Sequence, residues 1–134
     1  MIQLIDHIGI IVKDIDSSLR IYTEALGLKL SSVEVNEAYK VKIAFIPVGD
    51  TLIELIQPTA EGTMISNVLK EKGEGLHHIA FKVDNLVADL AKLKGMGVPL
   101  IDEIPQPGGL GAQVAFLQSS AANGVSIELL EKKG

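Results

Sequence analysis

Two stretches decide the fold: DHIGIIVKDI at 6–15 and HHIAFKVDNL at 77–86. They align at an offset of 71 residues, which sets His7 on His78, Val12 on Val83, Asp14 on Asn85 and Ile15 on Leu86. The register runs on at the same offset. Leu19 falls on Leu90, ALGLKL (25–30) answers GMGVPL (95–100) within one residue, and Ala44-Phe45-Ile46 meets Ala115-Phe116-Leu117. IELI (53–56) then meets IELL (127–130) at an offset of 74, so the second copy carries a loop three residues longer. A chain that repeats itself once is two copies of one supersecondary unit. The modules span about 1–58 and 75–134, and about 59–74 carries a connecting helix with Met64, Val68 and Ile65, Leu69 at i,i+4 spacing.

Each module reads as βαβββ. An Ile- and Val-rich strand (about 2–12, and 77–83) ends at Asp14 or Asn85, side chains that cap helix N-termini well. The helix that follows places Ile15, Leu19, Tyr22 and Leu26 on one stripe in the first copy, and Leu86, Leu90 and Leu93 in the second. Gly27 and Gly97 stop these helices. Three strands follow at roughly 28–36, 39–48 and 51–57, then at 99–103, 112–118 and 124–130. Gly49-Asp50 makes a tight hairpin. The expected architecture is one α+β domain, its modules related by a pseudo-twofold axis, its mixed sheet curled into a cup.

Composition removes several functions. The 134 residues suit one domain with a real core. A net charge of −5 offers no basic footprint for nucleic acid or an anionic membrane. Zero Cys removes disulfides, thiolate metal sites and Cys nucleophiles. The opening MIQLIDHIG has no basic n-region or cleavable apolar stretch, and apolar runs of about five residues fall far short of the roughly 20 a membrane helix needs. A cytoplasmic protein is the expectation.

Strand alternation sorts the polar residues. Ile8, Ile10 and Val12 take the helix side of the first strand, which leaves His7 opposite; Ile79, Phe81 and Val83 leave His78 opposite. Ile53 and Leu55 turn Glu54 away from the helix, and Ile127 and Leu129 do the same for Glu128. His77, on the other face from His78, is read as an ordinary half-buried histidine. Alone, each residue is unremarked: a lone strand His or Glu is usually packing or solvated surface. Jointly they are not, because a Glu inside I-E-L-I is costly on a covered face unless paired or metal-bound. Two imidazoles and two carboxylates suit a divalent ion such as Mn, Fe, Co, Ni or Zn. If the sheets close into one cup, His7, Glu54, His78 and Glu128 converge at its centre. The Gly-rich PGGLGAQ (107–113) is not a phosphate loop, since a strand rather than a helix follows; it reads equally as a mobile flap or a plain hairpin connection.

These residues resemble the vicinal-oxygen-chelate, or glyoxalase-fold, superfamily over essentially the whole chain. Within it, GLHHIAFKVD (75–84), the spacing at 44–51 and GVSIELLE (124–131) resemble the methylmalonyl-CoA epimerase family. The resemblance implies metal-dependent epimerisation of (2R)- and (2S)-methylmalonyl-CoA by C2 proton removal and return through an enolate. It implies His7, Glu54, His78 and Glu128 as metal ligands, Glu128 as a base, and Glu54 as ligand and partner. An acyl-CoA substrate and a homodimer follow from the same resemblance, with no nucleic-acid or membrane partner. Some epimerases carry Gln where this chain has Glu54, and some carry a further carboxylate on the third strand, where KVKIAFIPV (40–48) has none. Lys40 and Lys42 are candidates for the CoA phosphates. Lactoylglutathione lyase is the alternative, disfavoured because the only Arg is Arg20. A non-catalytic ligand-binding member of the superfamily is the third reading.

Overall fold

Alternating branched residues make Ile2–Ile11 a strand, β1, and the extended run ends where Asp14 caps the first helix. The structure is a computed structural model and describes residues 2–132. The chain divides into two compact units, one of residues 7–77, the other joining the residues up to Asp6 to those from His78 on.

In the unit of residues 7–77, β1 leads into α1 (Ile15–Arg20), then β2 (Ser32–Asn36), β3 (Val41–Val48), β4 (Thr51–Pro58) and α2 (Met64–Lys72). The strand order is β2-β3-β4-β1. β1 runs parallel to β4, with Gly9 beside Glu54, whereas β3 and β4 form an antiparallel hairpin that puts Phe45 opposite Glu54. One face buries Val12, Ile15, Ala44, Ile46 and Leu55 under α1. The other buries Ile11, Val41, Ile43, Phe45 and Ile56 against Ile65, Val68 and Leu69 of α2. The connecting helix therefore covers part of the face that carries His7 and Glu54, a face expected from the repeat to be free of helix.

In the other unit, β5 (Gly75–Val83, from His78 on) is followed by α3 (Leu86–Gly95), β6 (Gln106–Pro107), β7 (Gln113–Phe116) and β8 (Ser126–Glu131). The order is β5-β8-β7-β6. β5 is parallel to β8 with Ala80 beside Glu128, and β7 is antiparallel to β8 with Phe116 opposite Glu128. Val83, Leu86, Leu90, Ala115, Leu117 and Leu129 form the core beneath α3.

Both helices start the same way. Asp14 accepts from Ser17 N–H at 3.0 Å and Asn85 from Ala88 N–H at 3.1 Å. The hydrogen bonds from Ser17 hold the Asp14 carboxyl below its ordinary value. The first N–H of each helix is taken by the last strand of its own unit: Ile15 N–H donates to Gln57 at 2.9 Å and Leu86 N–H to Glu131 at 2.7 Å. These bonds answer two of the donors that every helix start leaves orphaned.

Three local expectations are corrected. α1 ends at Arg20, and Ile21–Ala25 forms a wider turn closed by Leu26 N–H to Ile21 O at 3.0 Å. The extra residue in that turn swings Leu26 out to 62% exposure, off the expected stripe. The strand expected over 28–36 begins only at Ser32. The strand expected over 99–103 reduces to one bridge, Leu100 to Leu117. Pro99 and Pro105 flank that segment and donate no N–H to a ladder. Among the described residues, no helix is long and apolar enough to cross a membrane.

Candidate active site

Each unit supplies the same buried pair. His7 and Glu54 lie on β1 and β4, 3% and 8% exposed, with Nδ1 of the imidazole 3.1 Å from the carboxylate Oε2. His78 and Glu128 lie on β5 and β8, each 5% exposed, with Nε2 3.0 Å from Oε1. The local cause is shared. Glu54 faces a small residue, Gly9, on one neighbouring strand and a ring, Phe45, on the other; Glu128 faces Ala80 and Phe116 in the same sense. The small neighbour leaves the carboxylate room to reach the imidazole two residues back along the adjacent strand, within the diagonal reach of strand neighbours.

A carboxylate buried among Leu52, Ile56 and Phe45 is costly to the fold, because leaving water costs it several kcal/mol that hydrogen bonding only partly returns. The donor set suits a divalent ion. In each pair the imidazole nitrogen and the carboxylate oxygen lie 3.1 and 3.0 Å apart, close enough for both to serve one ion. Imidazole and carboxylate without thiolate point to Mn, Fe, Co, Ni or Zn rather than a soft-metal site.

The other singled-out residues fall elsewhere. His77 is half-buried and faces away from His78. Lys40, on the β2–β3 turn, lies 3.6 Å from Glu37. Lys42 pairs in register with Gln57, which puts it on the α1 face, opposite to Glu54 and near enough to Asp14 to help hold its pKa down. In PGGLGAQ a short turn at Gly109–Gly111 leads into β7, and a Cβ on Gly108 would come within 2.5 Å of Val114. Phe45 and Phe116, each opposite a carboxylate, were not singled out from the sequence.

The protein is thus a duplicated mixed-sheet fold whose two halves each present a His–Glu pair. Residues 6–116 match the family model of the Glyoxalase/Bleomycin resistance protein/Dioxygenase superfamily, and the chain belongs to that superfamily. Its relatives include the uncharacterized protein YqjC of Bacillus subtilis, 40% identical over 97% of this chain and 93% of that protein. They include ethylmalonyl-CoA/methylmalonyl-CoA epimerase of Cereibacter sphaeroides, 31% identical over 96% and 98%. Among solved structures, a variant of Streptomyces coelicolor methylmalonyl-CoA epimerase in complex with 2-nitronate-propionyl-CoA superposes with a TM-score of 0.94, 31% identity and full coverage of both chains. The glyoxalase fold expected from the resemblance is the fold of this chain.

Proposed function

We propose that the chain is a metal-dependent epimerase interconverting (2R)- and (2S)-methylmalonyl-CoA, and that His7, Glu54, His78 and Glu128 together hold one divalent ion. The observation that carries the reading is the duplicated buried His–Glu pair. The epimerase relatives support it. It treats the chain as a single domain of two modules, about 1–58 and 75–134 with the connecting helix at about 59–74, working as a cytoplasmic homodimer on an acyl-CoA.

The C2 proton of methylmalonyl-CoA lies between a thioester and a carboxylate, so its removal leaves an enolate. Bound at the four ligands, a divalent ion would supply positive charge to the oxygen on which that negative charge develops. Glu128 takes the C2 proton, breaking the C–H bond and leaving its electron pair in the enolate. Inversion needs a proton returned to the opposite face of C2, and Glu54, from the other module, is the partner assigned to it. His7 and His78 orient the two carboxylates. Phe45 and Phe116 line them with hydrocarbon that keeps water from competing for the proton.

Metal analysis of the purified protein, with turnover of methylmalonyl-CoA before and after chelation, tests the reading. Activity lost on chelation, restored by a divalent cation, and abolished in His7→Ala and His78→Ala is expected. Full activity in the metal-free protein overturns it. Preferential turnover of the hemithioacetal of methylglyoxal and glutathione by the same preparation makes the lyase the correct assignment.

A further inference from the structure

The ring of Phe116 packs against His78 with centroids 5.4 Å apart and planes at 78°, an edge-on contact. The same residue stands opposite Glu128 in the β7–β8 register. Phe116 therefore touches one member of the His78–Glu128 pair and adjoins the other. Its own backbone is fixed from outside the sheet. Its N–H donates to the Asp102 carboxylate at 2.9 Å, and its carbonyl accepts from Ile101 N–H at 2.9 Å and Asp102 N–H at 3.2 Å. The equivalent Phe45 carbonyl is held by Ser31 through its N–H at 2.8 Å and its hydroxyl at 3.1 Å. Both copies thus clamp the phenylalanine beside the carboxylate from the segment ahead of the hairpin.

We propose that Phe116 is a positioning residue that fixes the imidazole plane of His78, so that Nε2 is the nitrogen presented to Glu128. A half-turn of the imidazole about its Cβ–Cγ bond would put Cε1 where Nε2 now stands, and Nε2 would lose Glu128 as its partner and with it the reason to favour one tautomer; a ring packed edge-on from a clamped strand opposes that turn. The inference rests on the metal reading only for its consequence, namely that a preset Nε2 lowers the ordering cost of binding an ion.

The test uses the full chain, metal-free and cobalt-loaded, as wild type, Phe116→Leu and Phe116→Tyr. Long-range proton–nitrogen NMR of the metal-free protein reports which ring nitrogen of each histidine carries the proton. One tautomer at His78 is expected in wild type, a mixture in Phe116→Leu, and recovery in Phe116→Tyr, with the signals of His7 unchanged throughout as the control for folding. Cobalt affinity is expected to fall about three- to tenfold in Phe116→Leu, the range an aromatic pair contact carries, and to recover in Phe116→Tyr. An unchanged His78 tautomer in Phe116→Leu, or no recovery in Phe116→Tyr, overturns the proposal. A wild type that binds no cobalt sinks the metal reading instead, while the tautomer measurement on metal-free protein still decides the role of Phe116.

Discussion

Replacing both members of one buried pair asks whether the site exists for stability or for function. In His78→Leu with Glu128→Met, two polar groups, each 5% exposed, become apolar side chains of similar size. The bond between the two, 3.0 Å from Nε2 to Oε1, is a hydrogen bond to a charged group worth about 1.5–3 kcal/mol. The dehydration relieved is several kcal/mol for the carboxylate alone. The double variant, assayed without metal, is expected to equal wild type or exceed it by about 1–4 kcal/mol, the range found when buried ion pairs are replaced by packed hydrocarbon. Glu128→Met alone removes the carboxylate but leaves His78 buried, and is expected to lose about 1–3 kcal/mol. Urea unfolding followed by circular dichroism, with chelator present, measures both. Adding a divalent ion at about a hundred times its Kd should then stabilise wild type by about 2.7 kcal/mol and leave the double variant unmoved. A metal-free double variant less stable than Glu128→Met would refute the reasoning, because the pair would then be a structural element of the sheet.

Three further outcomes are expected. In heavy water the product should acquire deuterium at C2, and Glu128→Gln should stop turnover even where metal is still bound; normal turnover by Glu128→Gln would remove it as a base. Asn85→Ala removes the cap on α3 and should cost about 1 kcal/mol, a fall of about 4 °C in Tm, without changing the metal content. The Asp14 carboxyl titrates below its ordinary value of 3.8 in the fold, so its charge adds stability above that pH and the addition is lost as pH falls through the folded value. Asp14→Asn should therefore be slightly less stable than wild type at neutral pH, with the gap closing in acid; a gap that widens on acidification contradicts the assignment.

The paired histidines and glutamates are legible in the sequence because period-two alternation fixes a face without reference to anything distant, and the repeat checks each assignment against its copy. Phe45 was within reach of the same logic. The Gly49-Asp50 turn fixes Val48 opposite Thr51, and counting back sets Phe45 opposite Glu54. Phe116 is not reached by counting, since residues 117–125, with a short turn at Ser119–Ala122, separate β7 from β8; the repeat, which sets Phe45 on Phe116 and Glu54 on Glu128, carries the pairing across instead. The apolar stripe of α2 announces that the helix is buried but not on which sheet face. Its landing on the Glu54 side depends on where the chain turns after Pro58. The wide turn at Ile21–Ala25 has no local signal, for an ordinary helical turn of the same residues would bury Leu26 just as well.

The bonds from Ile15 to Gln57 and from Leu86 to Glu131 have a bearing on how such a site can be copied. On each strand the acceptor sits three residues beyond the carboxylate and on the opposite face. A slip of one residue would turn Glu54 or Glu128 the wrong way and, in the same movement, release the start of the helix. Aim and anchor are therefore inherited together. A duplication that carried IELIQ or IELLE along with its helix delivered a correctly pointed carboxylate at once, with no later adjustment needed. The same coupling defines the smallest transplantable unit for a designer: Glu128 grafted alone arrives without its bearing, whereas the strand through Glu131 with the first turn of α3 brings the bearing with it.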